Sequence, residues 1–471
     1  MRHIRKSVFW NIILLLISML AVPASANSAQ THWRGTDSTG TIVTGENCPL
    51  IVEHELLTFD VQQFPESYYR EVSDYLSYSG SVTAEYTFYN PADYSVEATL
   101  VFPFGAIPDY GHIQDSESGE RLLYSDTEKY DITVNGEPIE KRLRHTLTFW
   151  GHQFTLDEDM ANLHDGFIDD PFYSPDMPVT RYTYMPSDVD EETYHAATAA
   201  FRLSADPART KVYMEGLNGG KLLEDAVQLE GWVDLEEPFV VNVIGEPLEQ
   251  MPDWKFYENG ACKDEIEGSM TLTQTETTTL KEFLLQDYDP ASDMLDYDWY
   301  NAMVTALNYF EWEYGAVHSA EVGFDISDRL MRWYEYDISI APGETIVNTV
   351  TAPIYPNINS DYEPSIYEYT YLLSPAQTWA EFGALDIVVN TPYYIIQSGE
   401  AFQWNDPGYE LRLDGLPEGE LTFTLCAEKN PTAPAYHGGI PTGIFLMGAA
   451  VLMAVAAVIV FARTARKKRV K

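Results

Sequence analysis

The chain has 471 residues, with 73 Asp and Glu against 28 Lys and Arg, 13% aromatic residues and three cysteines. A net charge of −45 argues against nucleic acid or anionic lipid as a ligand, since both would be repelled, and leaves divalent cations and basic proteins open. So many Tyr, Phe and Trp argue against disorder, because these side chains bury large areas and favour strands.

In chain order, a basic start (Arg2, Arg5, Lys6), an apolar stretch over 8–22 and the small residues Ala24-Ser25-Ala26 predict a secretory signal over 1–26. A first β-rich extracellular domain is expected over 27–245. Within it Val82, Ala84, Tyr86 and Phe88 alternate with polar neighbours, as do Val96, Ala98, Leu100 and Phe102. The turn residues Asn90-Pro91-Ala92-Asp93 lie between them, which predicts a β-hairpin with one apolar face. Asn135-Gly136 predicts a second hairpin, from residues 130–134 back through 139–149. Residues 156–186 read as an acidic, Pro-punctuated loop, and residues 239–244 as a strand buried on both faces.

A second β-rich extracellular domain is expected over 246–430, with the boundary placed where Pro247, Pro252 and Gly260 cluster. Residues 270–280 read as a strand. Asp298 as N-cap, followed by Tyr300, Met303, Val304, Leu307 and Phe310, predicts one inserted α-helix. Further strands follow at 331–340, 346–350, 367–373, 385–389, 409–413 and 421–425, with turn chemistry between them. Many short strands with regular turns predict a mainly β fold of two β-sandwich-like domains. A linker follows over 431–442. Residues 443–462 form an apolar run of about the 20 residues a membrane-spanning helix needs. The basic tail 463–471 orients that span with its C-terminus in the cytoplasm. The segment between the two ends keeps 19 Lys and Arg and all 73 Asp and Glu, a net charge of −54 on the exported part.

Tyr86-Thr87-Phe88-Tyr89-Asn90-Pro91 with Ala98-Thr99-Leu100-Val101-Phe102-Pro103 resembles a strand pair of bacterial extracellular domains loosely related to the vault and inter-alpha-trypsin type. Three further stretches are similar to an uncharacterised family of membrane-anchored surface proteins from clostridia-like Gram-positive bacteria. They are Arg332-Trp333-Tyr334-Glu335-Tyr336, Asn348-Thr349-Val350-Thr351-Ala352-Pro353-Ile354-Tyr355-Pro356, and Tyr369-Thr370-Tyr371-Leu372-Leu373-Ser374-Pro375-Ala376 with Thr378-Trp379. That resemblance implies a location and a fold type and carries no catalytic residues. Ile440-Pro441-Thr442-Gly443 departs from a wall-sorting motif, so the tail reads as a permanent anchor.

Two acidic clusters are candidate sites. Asp287, Asp289, Asp293, Asp296 and Asp298 crowd the start of the expected helix, and Asp289, Asp293, Asp296 and Asp298 are the expected Ca²⁺ ligands, because calcium takes several carboxylate oxygens at once. The bland alternative is helix capping and solvated charge. Asp157, Glu158, Asp159, Asp165, Asp169 and Asp170, with His152 and His164, could bind a transition metal or provide acid and base groups. Nucleophile elbows, phosphate loops and dinucleotide fingerprints are absent from the sequence. Cys48, Cys262 and Cys426 allow at most one internal disulfide and show no zinc spacing. Trp299, Tyr300, Tyr309, Trp312 and Tyr314 could stack on sugars but are spaced to fill a helix–sheet interface. The sequence is therefore read as a single-pass cell-surface protein with a non-enzymatic binding or structural ectodomain, open to cations or another surface protein as partners, with an extracellular carboxylate-dependent hydrolase as the alternative.

Overall fold

Alternation of apolar and polar residues decides which face of each strand is buried, and the backbone ladders decide which strands share that face. The computed structural model describes residues 32–33, 38–39, 41–43, 48–64, 80–105, 131–148, 155–190, 192–224, 226–248, 252–290, 294–311, 315–318, 326 and 329–433. The expected signal over 1–26, the membrane span and the basic tail lie outside these residues. Among the described residues the fold is mainly β, with strands in five sheets and three α-helices, and no helix is long and apolar enough to cross a membrane.

Three sheets take their strands from residues 32–147 and 330–426. An eight-stranded sheet runs in the order Gln403–Asn405, Gly408–Leu413, Glu381–Asn390, Ile51–Asp60, Ser81–Tyr89, Thr345–Pro353, Asp131–Val134, Glu137–Pro138. A four-stranded sheet joins Ile42–Val43, Val96–Gly105, Leu330–Ile340 and Arg142–Leu147. A six-stranded sheet is built around Ile366–Leu372 and Leu421–Cys426. Their inner faces meet in one apolar core that includes Leu57, Phe59, Tyr86, Phe88, Leu100, Phe102, Ile338, Ile387 and Phe423.

All strands of the other two sheets lie between residues 178 and 318. One sheet runs Ser269–Thr279, Pro178–Ser187, Phe239–Gly245, Thr210–Met214, Ala316–His318. The other runs Leu217–Leu222, Val227–Asp234, Ala196–Leu203, Trp254–Tyr257, Glu265–Ile266. They share a separate core of Tyr182, Phe201, Val212, Leu229, Val241 and Phe256. Ladders run across the expected boundary at 245/246, since Pro178–Ser187 pairs with Ser269–Thr279 and Ala196–Leu203 with Trp254–Tyr257. The chain leaves the four-stranded sheet after Leu147 and re-enters it at Leu330, and these two residues stand opposite each other in the ladder. The second region is thus an insertion with adjacent entry and exit, an arrangement that leaves the host sheet unbroken.

The expected hairpin of residues 82–88 with 96–102 is corrected. Both strands form, and Val82, Ala84, Tyr86, Phe88, Val96, Ala98, Leu100 and Phe102 are all buried. They belong to different sheets, however, and their apolar faces line the common core from opposite sides. The turn between them is a corner that carries the chain across that core. Asn90 holds it. Its Nδ2 donates to the carbonyls of Tyr94, Ile340 and Ala341, and its Oδ1 accepts from the Ala92 amide. Its backbone also exchanges bonds with Gly343 and Glu344, so it ties the crossing at 340–345 to the crossing at 89–96. Gly343 makes that second turn with φ of +69°, a conformation that penalises any Cβ. The segments 409–413 and 421–425 likewise lie in different sheets. Asn135-Gly136 does make a two-residue turn, with both residues at positive φ and Val134 opposite Glu137. The expected return through 139–149 is corrected: the hairpin ends at Pro138, and Arg142–Leu147 joins the four-stranded sheet instead.

Helices α1 (Leu156–Ala161), α2 (Leu280–Leu284) and α3 (Asp296–Phe310) belong to the inserted region. α2 starts with a capping box, Thr279 accepting from the Glu282 amide while Glu282 accepts from the Thr279 amide. α3 begins two residues before the expected cap: Leu295 is its N-cap, and Asp298 lies inside its first turn. The expected stripe is buried, with Tyr300, Met303, Val304 and Leu307 packed against α2 and the loop around Tyr173.

Candidate functional site

One carboxylate from each acidic cluster, Asp165 and Asp298, reaches the same guanidinium. Arg144 sits in the strand Arg142–Leu147 with its side chain 1% exposed, beneath the first turn of α3. Its Nε and Nη2 donate to the Asp298 carboxylate at 3.2–3.3 Å. Its Nη1 donates to Glu335 at 2.7 Å and to Asp165 at 3.3 Å, and its Nη2 to the His164 carbonyl at 2.5 Å. The Tyr297 ring lies 5.2 Å from the guanidinium, and Arg142 reaches Glu335 from outside. Burial pushes the Asp298 pKa up, against the pull of Arg144 and of the His145 amide, which donates to Oδ2 at 2.9 Å. His145 beside it is lowered to about 4 by burial and by Arg332 and Arg144, so it is neutral at pH 7. The arrangement pins the inserted helix to the host sheet.

That geometry decides what the acidic residues do. Asp298, an expected calcium ligand, has both carboxylate oxygens taken by Arg144 and His145. Asp287 and Asp289 are exposed, Asp296 is half-buried at the helix start, and Asp293 lies outside the described residues. In the second cluster Asp159 is buried and accepts from the Thr155 amide. Asp170 turns its own loop by accepting from the amides of Phe172 and Tyr173 and from the Asn308 side chain. Asp165 and the His164 carbonyl face Arg144, Glu158 and Asp169 are exposed, and His152 lies outside the described residues. Among the described residues no three His, Cys, Asp or Glu side chains are grouped to hold a metal ion. The role of Arg144 escaped the sequence reading, since Arg142, Arg144 and Thr146 mark that strand face as polar. Only the long-range docking of α3 buries it.

A second buried centre lies in the three-sheet core and has no counterpart in the sequence reading. Glu55 is 1% exposed, and its carboxyl accepts from the Tyr371 hydroxyl at 3.4 Å. Tyr371 and Tyr86 share a hydrogen bond of 3.3 Å, and Tyr86 accepts from the Thr41 amide. Thr41 contacts Tyr336, whose hydroxyl donates to Asn348 at 2.9 Å. Burial raises the Glu55 pKa to about 7 against the hydrogen bonds from Tyr86 and Tyr371. The tyrosines are raised as well, so each hydroxyl keeps its proton. The network links all three sheets and is sealed from solvent.

Open surfaces make a contrast. On the outer face of the eight-stranded sheet His54 Nε2 lies 3.0 Å from Asp386 and Arg412 lies 3.7 Å from the same carboxylate, with His54 and Asp386 half-buried and Arg412 exposed. Trp232, Tyr94, Tyr309 and Trp404 are more than half exposed. Around α3, Tyr300 donates to the Tyr173 carbonyl and Trp299 to the Leu284 carbonyl, while Trp312 and Tyr314 lie outside the described residues. Cys48, Cys262 and Cys426 are all free thiols, with Cys426 buried in its strand.

No protein-family model and no curated protein matches the chain. Among solved structures, a Legionella pneumophila protein with a provisional assignment to nutrient binding aligns over 84% of this chain and 72% of its own. The identity is 10% and the TM-score 0.34, a likeness too loose to carry an argument.

Proposed function

We propose that the chain is a single-pass cell-surface protein of the Gram-positive type its motifs resemble. Residues 443–462 span the membrane, residues 463–471 stay in the cytoplasm, and two β-sandwich-like units act outside as a non-enzymatic binding or structural ectodomain. One observation carries the reading. The buried acids with shifted pKa values, Glu55 and Asp298, bond to the chain's own side chains, where a catalytic acid would face a substrate. The exposed tryptophans, tyrosines and sheet surfaces are what a partner could reach. Calcium uptake, as a further part of this reading, would rest on Asp287, Asp289, Asp296 and the segment of Asp293, since Arg144 occupies Asp298.

Incubating the full chain with a panel of polysaccharides and peptides tests this. Saturable binding with the ligands recovered intact is the expected result. Turnover of any panel member that is abolished by a single carboxylate substitution would establish the hydrolase instead. Protease shaving of intact cells should release peptides from Tyr69 to Tyr409, and their protection with digestion of residues 463–471 would reverse the orientation.

A further inference from the structure

The strand Ser269–Thr279 is the outermost of its sheet and pairs only with Pro178–Ser187 among the described strands. All seven residues from Thr271 to Gln274 and on to Thr277 are exposed, so neither face of this stretch is covered. Six of its eleven residues are Thr, one is charged and none is Lys or Pro. Threonine's branched Cβ holds the extended conformation without burial. Long edge strands are usually shielded by lysine, proline, short length or a bulge, because unpaired amides and carbonyls template another strand. The shield here is a single bulge, where the register shifts between Thr183 and Tyr184. From Gln274 to Thr279 the strand runs straight, opposite residues 178–183.

Charge decides what could sit there. The region from 148 to 329 carries 38 Asp and Glu against nine Lys and Arg. Carboxylates stand along the strand itself: Asp188 bonded to Ser269 at its start, Glu276 near its middle, and Glu282 bonded to Thr278 at its end. Arg181 stands opposite Glu276 on the inner neighbour, leaving the outer side acidic overall. A second copy of this chain would bring the same acidic field against itself.

We propose that the edge of Ser269–Thr279 docks an extended basic segment of a partner protein by strand addition. Main-chain hydrogen bonds supply the contact and the flanking carboxylates select the sign of charge. The inference deepens the binding reading above and rests on it.

The test uses the full chain in phosphatidylcholine nanodiscs at about 0.15 M salt, where the Debye length is about 8 Å. The probe is a labelled peptide alternating lysine with valine and threonine. Its controls carry glutamate for lysine, or two central prolines that prevent strand pairing. The lysine peptide should bind about tenfold or more tighter than either control, a difference of about 1.4 kcal/mol. It should slow amide exchange over residues 274–279 and be recovered intact. Glu276→Lys in the protein should weaken it severalfold while leaving the melting temperature in place. Equal binding of the proline peptide reduces the effect to charge alone and overturns the proposal, as does equal binding of the glutamate peptide or protection elsewhere. Protection of residues 274–279 by self-association in the absence of peptide gives the edge to a second copy and also overturns it. Cleavage of the peptide would instead strike at the binding reading.

Discussion

Glu55 in the three-sheet core and Asp298 on the inserted helix are both buried carboxyl groups, and the molecule accommodates them by opposite means. Glu55 meets hydroxyls, which solvate a neutral acid, and its pKa rises to about 7. Asp298 meets the guanidinium of Arg144, which compensates its charge, with Glu335 on the other side of the same cation. Each choice has a cost. A neutral buried acid makes the fold sensitive to pH between the ordinary carboxyl pKa of 4.5 and about 7, because ionisation inside the core is unfavourable. A buried ion pair tolerates no loss of a partner, because the remaining charge is stranded. The first centre lies within one core, whereas the second joins two regions of the chain, so each failure would have a different reach.

The ionic centre should show the larger effect. Arg144→Ala should destabilise the protein by about 3–5 kcal/mol, read by denaturant unfolding, because Asp298 and Glu335 are left without their cation. A loss below about 1 kcal/mol, the scale of an exposed pair, would break the comparison at its ionic end. Phe88→Ala, against Tyr86 and Trp379 in the other core, should cost about 3–5 kcal/mol. Thr87→Ala on the open face should stay within about 0.5 kcal/mol. Equal effects would mean that the core face of this strand is misassigned. Asn90→Ala should cost about 1–3 kcal/mol, since it strands buried carbonyls at both sheet crossings. The smallest effect concerns cations. With Asp298 held by Arg144, about 1 mM Ca²⁺ at fixed ionic strength should raise the melting temperature no more than Mg²⁺ does. A calcium-specific rise that disappears in Asp293→Asn/Asp296→Asn would restore the metal site.

Much of the fold was legible because alternation reports burial directly. Tyr86, Phe88, Leu100 and Phe102 could be assigned inward from local pattern, and the α3 stripe from its 3.6-residue spacing. What pattern does not report is partnership. A turn such as Asn90-Pro91-Ala92-Asp93 serves a hairpin or a crossing between sheets equally well, and both put the same residues inside. The same ambiguity hid the insertion, since Leu147 and Leu330 are neighbours only through a ladder closed across 183 residues of chain. Proline and glycine near 245–260 mark a connection within the inserted region, because they encode local backbone geometry and say nothing of which strands pair afterwards. At the candidate site the carboxylates were visible as charge runs. The meeting of Asp165 and Asp298 at Arg144, and the sealing of Glu55 among tyrosines from three sheets, are products of long-range packing.

The unfolding free energy of the native chain and of Glu55→Gln, measured from pH 4.5 to 8.5, tests the contrast most directly. Below the ordinary carboxyl pKa of 4.5, Glu55 is protonated both folded and unfolded, and the neutral-acid stabilisation is fully present. As pH rises towards about 7 the unfolded chain ionises while the folded one does not, so that stability is lost across this window and the curve then levels. Groups common to both chains cancel in the difference. The native chain should therefore lose about 3 kcal/mol relative to Glu55→Gln between pH 4.5 and 7.5, making the variant the more stable of the two relative to its acid value. Parallel curves over the whole range would contradict the account, for they would mean that Glu55 titrates in the folded protein as it does in the unfolded chain.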